Sequence, residues 1–140
     1  MINTYINEGK IVPAHVTVRL LGNAMEASGA TNFLVDGFPR DIDNLTCWED
    51  QLSPVSNVQF LLYLNCPQAV MVDRLVERGK TSGRSDDNRE AITKRFVTYE
   101  NSTRPIIDHF ASLGKVREVD SNRSVDDVFA DVCEVFSEVA

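Results

Sequence analysis

Arginines stand at both ends of a glycine- and hydroxyl-rich stretch, Arg78-Gly79-Lys80-Thr81-Ser82-Gly83-Arg84-Ser85-Asp86-Asp87-Asn88-Arg89-Glu90, and Arg95 follows one to two helical turns later. Two glycines and three small hydroxyl residues predict a flexible loop. A loop that closes over phosphates and excludes water needs this arrangement, because transfer of a phosphoryl group rests on positioning and charge stabilisation. An ordinary mobile surface loop has the same composition. A second candidate is Asp36-Gly37-Phe38-Pro39-Arg40. Asp36 can order a divalent cation and its waters, Gly37 admits a ligand to the backbone, Pro39 stiffens the turn, and Arg40 can clamp a phosphate with two parallel hydrogen bonds. A structural turn with a surface arginine fits these five residues equally well.

Charge supports a local anion site. The chain carries a formal charge of -7, which argues against a general binder of nucleic acid or anionic membranes. Between Arg74 and Arg95, however, lie seven of the fourteen basic residues against four acids, so that this window is +3 and the remainder -10. A solvated helix face laced with ion pairs is the competing explanation. Cys47, Cys66 and Cys133 are odd in number and widely spaced, which suggests neither a disulfide framework nor a zinc site and fits a reducing compartment. No apolar run reaches the length of a membrane span, and 43% hydrophobic residues over 140 positions suffice for one domain with a core.

The elements that must position these residues are short strands alternating with helices. Residues 2–8 read as the end of a helix stopped at Gly9. A second helix runs from Pro13 to Ser28-Gly29, with Val16, Leu20, Leu21, Ala24 and Met25 on one stripe. Phe33-Leu34-Val35 predicts a buried strand opening at Asp36-Gly37, and Val58 to Leu64 predicts a stronger one. A helix from Cys66-Pro67 to about Arg78 follows. The next has Asp87 and Glu90 at capping-box spacing and is kinked or divided at Pro105. A third strand spans Val116 to Val119. Ser124 caps a last helix whose Val125, Val128, Phe129, Val132, Val135, Phe136 and Val139 mark one buried face. This alternation predicts an α/β fold, a parallel sheet with helices on both faces, and ligands at the carboxyl ends of its strands.

Taken together, VDGFPR followed by DN and ERGKTSGRSDDNRE with its later arginine closely resemble the UMP-CMP kinases of the nucleoside monophosphate kinase family. YINEGKIVP, STRPIID and SVDDVF extend the match along essentially the whole chain. The resemblance implies a P-loop NTPase-type fold that transfers the γ-phosphoryl of ATP, with Mg²⁺, to UMP or CMP, with adenylate kinase as the alternative. It implies that Lys10, Ile11 and Val12 line the acceptor nucleotide largely through backbone, that Gly37, Phe38, Pro39 and Arg40 bind the same nucleotide, and that Asn44 reads the pyrimidine. Arg84 and Arg95 would grip phosphates in the closed state, Asp36 would hold magnesium through water, and Arg78 and Arg123 would approach ATP. Residues 1–12 would end the monophosphate-binding region and residues 79–88 would form a short lid of one domain spanning 1–140. The resemblance also implies a monomeric complete enzyme in the cytoplasm and the nucleus.

Members of that family open with a strand and a G-x-x-x-x-G-K loop that cradles the ATP phosphates, and the 140 residues contain none. Gly79-Lys80-Thr81 imitates its end, but position 74 is Arg and a helix precedes it. The chain is therefore expected to lack strands 1 and 2 of a sheet ordered 2-3-1-4-5 and the family's arginine that holds the acceptor phosphate early in the monophosphate-binding region, and to be inactive alone. A non-catalytic nucleotide-binding fragment is the rival expectation. The strand ending at Asp36 must pair directly with the one ending at Asn65, recruit another chain by self-association, or stay unpaired.

Overall fold

The computed structural model describes residues 4, 5, 8, 10–84 and 86–137. Thr4 and Tyr5 are helical and Glu8 is in a turn, while the other residues of the helix expected over 2–8 lie outside the described residues, as do Ser85 and Val139. Helix α1 (Ala14–Ser28) starts behind Pro13, whose fixed φ suits a helix entrance, and stops at Gly29 in the left-handed conformation, φ 64°. Helix α2 (Ile42–Gln51) is capped by Asp41, whose carboxylate accepts the Asn44 amide at 2.7 Å. A 3₁₀ turn (Ser53–Val55) leads to β1 (Leu61–Asn65), then α3 (Gln68–Gly79), α4 (Arg89–Thr98), a π-helical turn (Tyr99–Thr103), α5 (Arg104–Ser112), β2 (Val116–Asp120) and α6 (Val125–Ser137).

Strands β1 and β2 pair in parallel, Leu61 opposite Val116 through Asn65 opposite Asp120. Parallel strands need a long crossover, supplied here by α3, α4 and α5. Leu45 of α2 with Ile106 and Phe110 of α5 form the buried centre, and Val58, Leu61 and Val116 pack against it. Each such side chain withdrawn from water contributes about 1.5–3 kcal/mol. Phe60, adjacent to Leu61 and so turned the other way, meets Phe136 of α6 with ring centroids 5.2 Å apart. Helices thus cover both faces of the parallel sheet, as the α/β reading expects.

Four local expectations need correction. Phe33–Val35 forms no strand: the sheet among the described residues is β1 and β2 alone, and Leu34 is 82% exposed. Strand structure depends on a neighbour to receive its hydrogen bonds, and neither β1 nor β2 pairs with this segment. The strand expected from Val58 begins only at Leu61. The cap of α4 is Asn88, whose side chain accepts the Ala91 amide, because the Asp87 carboxylate is engaged elsewhere. The apolar stripe of α6 is incompletely covered, with Val125 83% and Phe129 66% exposed, although Ser124 caps the helix as expected by accepting the Asp127 amide. Pro105 divides the long helix, falling in the first turn of α5 just after the π-helical turn.

Candidate functional site

The loop after the unpaired segment folds tightly on itself. Gly37 has φ 66°, in the left-handed region, and a Cβ there would stand 2.5 Å from Nη2 of Arg40. Only glycine satisfies both the backbone conformation and the close approach. Arg40 Nε donates to the Gly37 carbonyl at 2.5 Å, and the Phe38–Pro39 peptide is cis. Phe38 leans on Trp48 with centroids 5.6 Å apart, which couples the loop to α2. The Arg40 amide donates to Asn44 Oδ1 at 3.3 Å. Asn44 is 2% exposed, and its Nδ2, like Nε1 of Trp48 one turn on, is a buried donor with no partner among the described residues. An unmatched buried donor costs about 1–3 kcal/mol.

Across from it, the loop following α3 is organised by two buried aspartates. Arg78 grips Asp87 with both arms, Nε–Oδ2 2.8 Å and Nη2–Oδ1 2.5 Å, and Ser82 Oγ donates to the same carboxylate at 2.8 Å. Arg84 grips Asp86 at 3.0 and 3.1 Å, and Arg95 Nη1 reaches Asp86 at 3.1 Å. The Asp87 side chain is fully shielded and that of Asp86 is 8% exposed. The hydrogen bonds from Arg78 hold the Asp87 carboxyl down at about 2, and Arg84 lowers that of Asp86. Gly79 permits the approach, since a Cβ there would lie 2.5 Å from the Asp87 carbonyl oxygen.

Arg95 is where the cations converge. Burial lowers its pKa, Asp86 opposes that, and the fields of Arg84, Arg40 and Arg78 lower it further. Arg78, Arg84 and Arg95, from the end of α3, the loop after it and α4, pair with the two aspartates, and Arg40 of the 36–40 loop adds its field at Arg95, so that the four arginines and two aspartates carry an excess of +2. Like charges gathered in a partly desolvated place are costly unless an anion completes them. The aspartates were absent from the sequence reading as site residues; an Asp-Asp pair amid arginines was the signal available.

The other expected residues lie further out. Asp36 is exposed at the loop apex. Lys10 is exposed and paired to Glu8 at 2.7 Å, and Ile11 and Val12 are half-buried ahead of α1. The Lys10 hydrogen bond lowers the pKa of Glu8. Arg123 follows β2, paired with Asp131, and its carbonyl accepts from Arg74 Nη2 at 3.4 Å. A cavity of about 490 Å³ between α1 and the end of α2, lined by residues such as Val18, Phe33 and Leu52, includes none of Arg40, Arg78, Arg84 and Arg95.

Among the described residues no group of three or more His, Cys, Asp or Glu side chains could hold a metal ion. A lone exposed carboxylate such as Asp36 fits a magnesium ion only through its waters, with phosphate oxygens supplying direct ligands. Nor is any helix of the described residues long and apolar enough to cross a membrane.

A parallel sheet with arginines gathered beside it defines a phosphate-handling α/β protein. A family model described as adenylate kinase matches residues 1–115, and the chain belongs to that family of nucleoside monophosphate kinases. The UMP-CMP kinase of Rattus norvegicus is 48% identical over 141 residues, covering 97% of this chain and 72% of that protein. That of Danio rerio is 50% identical over 137 residues, covering 94% and 70%, and that of Homo sapiens 46% over 141, covering 97% and 72%. The family's members are phosphotransferases that use ATP with a divalent metal.

Proposed function

We propose that these residues form the acceptor site and lid of an ATP:UMP/CMP phosphotransferase acting in pyrimidine nucleotide synthesis. The observation that carries this reading is the convergence of Arg40, Arg78 and Arg84 on half-buried Arg95, with an excess of +2 where phosphates would lie. A phosphate oxygen of the acceptor attacks the γ-phosphorus, the bond to the β-γ bridging oxygen breaks, and ADP leaves. The chain's side chains form no covalent intermediate. Arg40 holds the acceptor phosphate, Arg84 and Arg95 neutralise charge on the transferring group, and Arg78 and Arg123 lie toward the donor. Mg²⁺ would supply charge neutralisation on the donor phosphates, and Asp36 would hold it through its waters.

Lys10, Ile11 and Val12 and the Gly37, Phe38, Pro39 turn border the acceptor nucleotide. Asn44 reads its base. The enzyme is monomeric when complete and works in the cytoplasm and nucleus. The 140 residues alone, which contain no G-x-x-x-x-G-K sequence, bind the acceptor without turning it over. Unpaired Phe33–Val35 is their route to self-association. Titration with CMP, UMP, AMP and cytidine, followed by the emission of the sole tryptophan, Trp48, tests the reading. Saturable binding of CMP and UMP, weaker for AMP and lost without the phosphate, is expected. Equal binding of cytidine and CMP would remove the arginine cluster from the account.

A further inference from the structure

Three threonines lie along the rod formed by α4 and the π-helical turn, and they do not behave alike. Thr93 and Thr98 donate to the carbonyls four residues back, Arg89 at 2.9 Å and Lys94 at 3.1 Å, the usual resting place of a helical hydroxyl. Thr103 instead donates to the carbonyl of Arg40 at 2.8 Å, 63 residues earlier in the chain. At the other end of the same turn, Tyr99 donates to the Tyr63 hydroxyl of β1 at 3.1 Å, and Tyr63 donates to Asn65 at 3.3 Å. The wider π-helical turn re-aims side chains relative to the α-helix that precedes it, and such turns are enriched at functional sites. Its first residue is fixed to the sheet and its last to the acceptor-side loop, while α4 carries Arg95 to the aspartates of the lid.

We propose that Thr103 is a positioning residue for Arg40, holding the loop at the main chain so that the guanidinium is set relative to the sheet and to Arg95. The role in acceptor binding rests on the function proposed above; the mechanical tie does not. A hydroxyl-to-carbonyl bond is well suited to this, because it engages the Arg40 main chain and none of the guanidinium nitrogens.

Amide hydrogen exchange of the 140-residue chain tests the tie directly. Thr103→Val keeps the shape and removes the donor, and is expected to speed exchange of the Arg40 and Asn44 amides about 3- to 10-fold while the Leu64 and Val119 amides of the sheet stay unchanged. Thr103→Ser restores the hydroxyl and returns exchange close to the starting value. If Val and Ser variants exchange alike, or if sheet amides accelerate as much as Arg40, the proposal is wrong. CMP titration followed by Trp48 emission is the second arm: a similar 3- to 10-fold weakening is expected in Thr103→Val and rescue in Thr103→Ser, and unchanged affinity in Thr103→Val would overturn the positioning role. If the unsubstituted chain binds no CMP, the acceptor reading fails, and the exchange result still decides what Thr103 does.

Discussion

Arg78 and Asp87 face each other in a two-armed pair, 2.8 and 2.5 Å, in which the Asp87 side chain is completely shielded while the Arg78 side chain keeps 43% of its surface. The aspartate is therefore the committed partner and the arginine the one with surface left for an anion. Asp87→Asn keeps the size and loses the charge, and should destabilise the chain by about 1.5–3 kcal/mol, the usual worth of hydrogen bonds to a charged group. Urea unfolding at neutral pH measures it. No change would mean that the pair is ornamental.

The same pair sets an acid limit. Asp87 titrates near 2 when folded against 3.8 when free, so its contribution is fully present above about pH 4 and disappears as pH falls toward 2. Unfolding midpoints measured from pH 5 to 2 should decline in the unsubstituted chain and decline less in Asp87→Asn. Parallel curves for the two proteins would contradict this assignment.

Gly79 and Gly83 should respond differently to alanine. At Gly79 a Cβ would stand 2.5 Å from the Asp87 carbonyl oxygen, main chain that cannot yield without breaking the pair. At Gly83, φ 65° and nothing within 4 Å, the cost is only the left-handed conformation, about 1–2 kcal/mol. Gly79→Ala should therefore lower thermal stability more than Gly83→Ala, and the reverse order would disprove the packing described at the base of the lid.

Removal of the clamp on the acceptor side should be felt in binding. Arg40→Ala is expected to weaken CMP about a hundredfold, equivalent to about 3 kcal/mol of charged hydrogen bonding. Trp48 emission reads this through Phe38, and unchanged affinity would exclude Arg40 from the site.

The residue types of Arg40, Arg78, Arg84 and Arg95 point to phosphate, as does the resemblance, and the structure sets the first three within electrostatic reach of Arg95. Asp86 and Asp87 are not legible in the same way, since a carboxylate in a charged loop reads as solvated until folding buries it. Asp87 was assigned to the α4 cap, a role that local spacing allows and that Asn88 fills once Arg78 takes the aspartate. Phe33–Val35 has the composition of a buried strand, yet burial and pairing come from neighbours that local composition cannot supply. Val125 and Phe129 fail for the same reason: periodicity marks a face and says nothing of what covers it.

ATP-dependent phosphorylation of CMP is the most direct measurement, made on the 140 residues alone and on the same residues joined to the stretch of the rat UMP-CMP kinase that lies ahead of the matching region. The expected result is no turnover by the 140 residues, which contain no G-x-x-x-x-G-K loop, and turnover by the joined chain at about 1–100 per second with CMP preferred over AMP. Turnover of CMP by a sequence-verified sample of the 140 residues at such a rate, or a joined, folded chain that binds ATP yet phosphorylates no pyrimidine nucleotide, would contradict it.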